Sequence, residues 1–162
     1  MSTRNGMVVA MLGPFVLATR ECAVQMLSNG QYVLGELPNV TMSEGLRMQT
    51  QDVCDAMVGT KHDLITELFE LDDLVATEAS DEQVGARVER IVQWAHEDIA
   101  KLVDLVAALE VESRRDPAVE LTHLLVMESA GNVLQAYQPM QTAADAVLRA
   151  VQGVRLQGAS PS

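Results

Sequence analysis

Three histidines are the residues of this chain best suited to metal chemistry. His62, His96 and His123 each fall in a different segment of helical periodicity. Helical bundles hold metal ions with inward-facing histidine and carboxylate side chains. Three single histidines from three helices would suit zinc with water in the fourth position, so the sequence offers a bundle metalloprotein with Zn or Fe as one hypothesis.

A second pattern partly supports that hypothesis. Glu120-Leu-Thr-His123 has the Glu-x-x-His spacing of di-iron bundles, which need two such motifs. The second motif is missing, because Gln93 precedes His96 and Gly59 precedes His62 at the position where glutamate is required. The metal site is therefore the alternative hypothesis, and its ligands would come from His62, His96, His123 and Glu120, with Glu128 as a further carboxylate.

The two cysteines are poor candidates for a nucleophile. Cys22 follows Glu21, and Cys54 precedes Asp55. Neighbouring carboxylates raise the pKa of a thiol and so work against the reactive thiolate. The chain also lacks the nucleophile-elbow, phosphate-loop and dinucleotide motifs. These observations favour a protein without a catalytic site, in which both cysteines are buried and reduced.

The elements that would position these residues are helices. Apolar residues recur every three or four positions over Ser43–Val75 and again from Ser80 to about Arg114. This spacing is typical of amphipathic helices, since 3.6 residues make one turn. Ser80 and Gln83 form a capping box at the start of the second segment. Asp116-Pro117 begins the last helix, with Asp as its cap and Pro in its first turn.

The first third of the chain is less regular. Pro14–Ser28 is predicted to be a helix that stops at Asn29-Gly30, and Gln31–Val40 is predicted to be a long connection. Pro139 is expected to kink or divide the last helix. The sequence thus predicts an all-α fold: an elongated antiparallel bundle of about four helices with two long central helices. Residues 1–162 form one domain, in which 1–42 are an apolar Met-rich helix and connection and 156–162 a frayed tail.

Charge restricts the partners of the protein. The net charge is −12, and residues 61–120 hold sixteen acidic but only six basic side chains. Nucleic acid and anionic lipid bind clustered lysine and arginine, which this chain lacks. The N-terminal apolar run Met7–Ala18 has twelve residues, fewer than the roughly twenty that cross a bilayer as a helix. We expect a cytoplasmic protein without a membrane span; export is the alternative, since Val16-Leu17-Ala18 resembles a signal cleavage site.

Methionine points to an interaction surface. Seven of the nine methionines lie in the first 57 residues, which carry few charges. Methionine is over-used on surfaces that accept varied apolar partners. The leading prediction is a non-catalytic interaction module, such as a helical adaptor, chaperone or immunity-type binder, that binds another protein or itself as a homo-oligomer. Its predicted contact residues are Met7, Met11, Phe15, Met26, Leu27 and Tyr137.

Overall fold

The computed structural model of the chain describes the backbone of residues 6–159 and the side chains of residues 6–153. Across these residues the secondary structure is helical, with no strand. Two 3-10 turns, Leu37–Asn39 and Pro117–Val119, follow the first and third helices. The predicted all-α class is confirmed, and the four long helices are α1 (Gly6–Glu36), α2 (Glu44–Ala76), α3 (Asp81–Arg115) and α4 (Glu120–Ala159).

The helices form a closed four-helix bundle. Each helix packs against the next one along the chain, and α4 packs back against α1. The connections are short, so neighbouring helices run antiparallel. At 1.5 Å per residue the helices are about 46 to 60 Å long, which makes the bundle elongated as predicted. The core lies along its central axis and is filled mainly by aliphatic side chains, among them Phe15, Met26, Met57, Leu102 and Met140.

The two predicted caps, at Ser80 and Asp116, are present, and Ser43 provides a third. Ser43 accepts a hydrogen bond from the backbone N–H of Leu46 at the start of α2. Ser80 and Gln83 exchange the two hydrogen bonds of a capping box at the start of α3. Asp116 accepts a hydrogen bond from the N–H of Ala118, but it caps the 3-10 turn Pro117–Val119, and α4 itself begins at Glu120, three residues later than predicted. Each side chain satisfies backbone groups that a helix end leaves open, so the starts of α2, of α3 and of the 3-10 turn before α4 follow from local sequence.

The first helix is longer than predicted, and the stop at Asn29-Gly30 is wrong. α1 continues through both residues to Glu36, so the connection begins only at Leu37. A Cβ built on Gly30 would lie 3.1 Å from the carbonyl oxygen of Cys54 on α2. The glycine therefore serves the close approach of two helices and not the end of one. Asn29 accepts a hydrogen bond from Asn132 of α4, at 3.1 Å.

Proline does not divide α4. The helix runs through Pro139 to Ala159, and α1 likewise contains Pro14 in its interior. Both prolines are exposed. The predicted tail begins at Leu156, whereas the helix covers four of its seven residues; residues 160–162 lie outside the described part of the chain.

Polar contacts join α2 to α3. The buried hydroxyl of Thr60 donates a hydrogen bond to the carboxylate of Asp98. Burial raises the pKa of Asp98, and this hydrogen bond acts in the opposite direction. Seven residues after Thr60 on α2, the buried Glu67 pairs with Arg87 of α3 at 2.6 Å. Arg87 also pairs with Glu70 at 2.9 Å. These contacts fix the position of α2 along α3.

Candidate functional site

The proposed metal ligands lie on three helices and mostly face solvent. His62 on α2 and His96 on α3 are exposed, and His123 on α4 is half-buried. Glu120 is exposed in the first turn of α4, where the helix dipole favours an acidic residue. Glu128 is also exposed on α4.

The depths of the histidines in the bundle do not match. The Nδ1 atom of His96 lies 3.3 Å from the hydroxyl of Tyr137. Since His123 precedes Tyr137 on α4, it lies about 21 Å from that level along the helix at 1.5 Å per residue. Two ligands of one zinc ion must lie within about 4 Å of each other, since each bond is ~2 Å. Among the residues that the structure describes, no three His, Cys, Asp or Glu side chains are grouped to hold one metal ion.

Both cysteines are buried and free. Burial raises the pKa of the Cys22 thiol to about 12, and the charge of Glu21 adds to the effect. Burial and, secondly, Asp55 raise the pKa of the Cys54 thiol to about 12 as well. At neutral pH each side chain is therefore a thiol packed in the core. This is the environment of a structural cysteine, as the sequence predicts.

The thiols are accordingly expected to react only when the bundle opens. We predict that the thiols of native protein react with Ellman's reagent at pH 8 at least a hundredfold more slowly than those of protein in 6 M guanidinium chloride. In the fold the thiols are protonated and the reagent cannot reach them. Absorbance at 412 nm measures the rate. A fast stoichiometric reaction of Cys22 or Cys54 in the native protein would contradict this assignment.

The predicted contact residues divide between core and surface. Phe15 and Met26 are fully buried, and Tyr137 is 5% exposed. Met11 and Leu27 are half-buried, and only Met7 is well exposed. Three of the six side chains thus fill the bundle and do not contribute to its outer surface. The methionine count alone does not separate these roles, because methionine fills cores as readily as it lines interfaces.

An apolar groove lies between the first half of α1 and the second half of α2. Its volume is about 490 Å³. Leu12, Leu68 and Leu71 form its buried floor. The remaining walls are largely aliphatic and come from Val9, Gly13, Val16, Leu17, Ile65, Phe69 and Val75, with Arg20 and Asp72 as the charged members.

Two large side chains stand exposed on the groove. Leu17 on α1 is 68% exposed and Phe69 on α2 is 67% exposed. Gly13 lies on the open α1 side of the groove, where a Cβ would meet no atom within 4 Å. Exposed aromatic and aliphatic side chains around an apolar cleft are typical of a docking site for another molecule. This groove is the candidate site, and it lies outside the contact surface predicted from the sequence.

Charge is distributed unevenly around the bundle. α2 and α3 carry sixteen acidic and seven basic side chains, whereas α1 and α4 carry five and three. The groove lies where these two halves meet. Residues 63–82, which include its α2 wall, contain eight carboxylates and no lysine or arginine. The groove itself is apolar at its floor, and its lining contains one carboxylate, Asp72 on α2, and one cation, Arg20 on α1.

Another groove, of about 760 Å³, lies between α3 and α4. It is lined chiefly by polar side chains, including Gln93, Gln138 and Gln141. Its charged side chains, Glu89, Arg90 and Asp145, are exposed, and none of its apolar lining residues is a large exposed side chain of the kind that Leu17 and Phe69 present. We therefore place the candidate site in the apolar groove.

α1 is long and apolar enough to be compared with a membrane-spanning helix. The stretch Gly6–Asn39 has 34 residues, and its most apolar window has a mean hydropathy of 1.6 and is 33% buried. By length and composition alone, this helix could cross a membrane. The core helix of a soluble protein and an N-terminal signal sequence have the same properties, so the absence of a membrane span stays a prediction.

Comparison with protein-family models, with curated proteins and with solved structures found nothing that matches this chain.

Proposed function

We propose that the protein is a non-catalytic interaction module that binds another protein in the groove between α1 and α2. The observation that carries the proposal is the exposure of Leu17 and Phe69 on opposite walls of an apolar cleft. Water-exposed apolar surface of this kind is stabilised when a partner covers it, at roughly 25 cal/mol per Å². The proposal keeps the interaction role predicted from sequence and moves the contact surface to a different set of residues.

Aromatic side chains at the centre of an interface contribute most to binding. Phe69 has the size and position of such an anchor, and α2 holds it next to the buried Leu68 and Leu71. Removing an anchor of this type costs about 2 kcal/mol or more, which is roughly a thirtyfold rise in Kd. The fold should not suffer, since exposed side chains contribute little to stability.

A photoreactive benzoylphenylalanine at position 69, tested in the host cell, decides the proposal. We expect ultraviolet light to join position 69 to one partner protein, which mass spectrometry identifies. The protein with Phe69→Ser should bind this partner about thirtyfold more weakly than the wild-type protein does. The matched control is Met48, which is 61% exposed at the other end of α2.

The control position should give no adduct with that partner, and Met48→Ser should bind it normally. Equal crosslinking at positions 48 and 69, or no adduct at 69, would contradict the proposal. Light scattering of the purified protein tests the remaining sequence prediction of a homo-oligomer.

A further inference from the structure

We propose that the occupant of this groove is an amphipathic helix with lysine or arginine flanking its apolar face. The inference rests on the proposed function and names the chemistry of the partner. It draws on the length of the groove, on its apolar lining and on the carboxylates of its α2 side.

The dimensions of the groove fit a short helix. On α1 the lining runs from Val9 to Arg20, and on α2 from Ile65 to Val75. These stretches are about 15 to 17 Å long at 1.5 Å per residue, or three helical turns. Helices that bind in apolar grooves insert side chains at positions i, i+3 or i+4, and i+7, which cover two to three turns. An occupant of about 12 to 14 residues would therefore fill the site.

The α2 side of the groove selects the charge of that helix. Arg87 neutralises two carboxylates of this segment by pairing with Glu67 and Glu70. Asp72, which lines the groove, and Asp73, which is exposed beside it, stand outside these ion pairs. They outnumber the one cation of the lining, Arg20 on the α1 wall. A cationic flank on the partner would lie against them, and complementary charge raises the association rate and discriminates between partners.

The same charges disfavour the other occupants. A second copy of the chain would bring another −12 charge and another acidic segment to this face, and like charges placed together cost several kcal/mol. Anionic lipid and nucleic acid would be repelled for the same reason. A neutral or acidic helix would fill the apolar floor but gain nothing from the flanking aspartates.

Three fluorescent 14-residue peptides test the inference by anisotropy titration. The first contains leucine and lysine with leucine at helical spacing. The second has the same composition in an order that breaks the apolar face, and the third replaces lysine with glutamate. We expect the first peptide to bind at least tenfold more tightly than either control, and more weakly at 0.3 M than at 0.05 M NaCl.

Variants then place the peptide on the protein. Phe69→Ser should weaken binding of the first peptide at least tenfold, whereas Met48→Ser should leave it unchanged. Asp72→Asn/Asp73→Asn should weaken binding several-fold and reduce its dependence on salt. These three results together would support an amphipathic, basic helix as the occupant of the groove.

Other results would overturn it. Equal binding of the reordered peptide would show that net charge alone drives the interaction. Equal binding of the glutamate peptide would show that the groove does not select a basic partner. No binding of any peptide, insensitivity to Phe69→Ser, or a dimer that Phe69→Ser dissociates would also overturn it. If position 69 crosslinks to a partner segment without basic residues, only the charge assignment fails and the interaction module stands.

Discussion

Phe15→Ala is expected to lower the free energy of unfolding by about 3–5 kcal/mol, the typical effect of removing a buried aromatic ring. Phe15 is fully buried on the inner face of α1. Truncation would leave a cavity in a closely packed interior and forfeit the transfer energy of the ring. Urea denaturation followed by circular dichroism at 222 nm measures the change.

The matched control for this experiment is Leu17→Ala, two residues further along α1. Leu17 is 68% exposed, so its truncation should change stability by no more than about 0.5 kcal/mol. Phe15→Leu keeps most of the side-chain volume and provides a measurable variant if the alanine protein does not fold. If Phe15→Ala matched the wild type within 1 kcal/mol, the ring would not be part of the core and its assignment to a contact surface would return.

Arg87→Met is expected to destabilise the bundle by about 2–3 kcal/mol. Glu67 is buried, and its carboxylate contacts the Arg87 guanidinium at 2.6 Å. Removing the cation leaves a buried charge with only the more distant Arg90, at 3.6 Å, beside it. An unpaired buried carboxylate costs more than the ion pair itself contributes, and partial exposure of Arg87 moderates the effect. Chemical denaturation again provides the measurement.

The double variant Glu67→Leu/Arg87→Met separates these two contributions. Replacing both partners with apolar residues removes the stranded charge, so its stability should return to within about 1 kcal/mol of the wild type. A double variant as unstable as the single one would show that the pair itself, and not the unpaired carboxylate, holds α2 and α3 together. The exposed pair Arg114–Glu110 is a useful comparison, because breaking a surface pair costs at most about 1 kcal/mol.

The sequence alone predicts most of the fold. α3 is the best case, because its apolar stripe, its capping box and its charged outer face all indicate the same helix. Gly30 is the instructive failure. A glycine after asparagine is a common helix stop, and only the packing partner Cys54 shows that the missing side chain is needed for helix contact.

The candidate site was much harder to predict than the fold. Periodicity indicates which face of a helix points inward, but it does not say which neighbouring helix meets that face. Phe69 carried a detectable signal, since it is an aromatic residue next to Leu68 and outside the stripe of Leu64, Leu68 and Leu71. Leu17 had no such mark, because α1 is apolar on most of its circumference.

The closing contact of the bundle has a consequence for biosynthesis. α1 packs against α4, and the hydrogen bond between Asn29 and Asn132 joins positions 103 residues apart. During translation α1 cannot pack against α4 until α4 has been synthesised, because contacts between distant residues form only after the intervening chain exists. Until α4 is made, the side of α1 that it covers has no partner, and exposed apolar surface of this kind makes a nascent chain prone to aggregate.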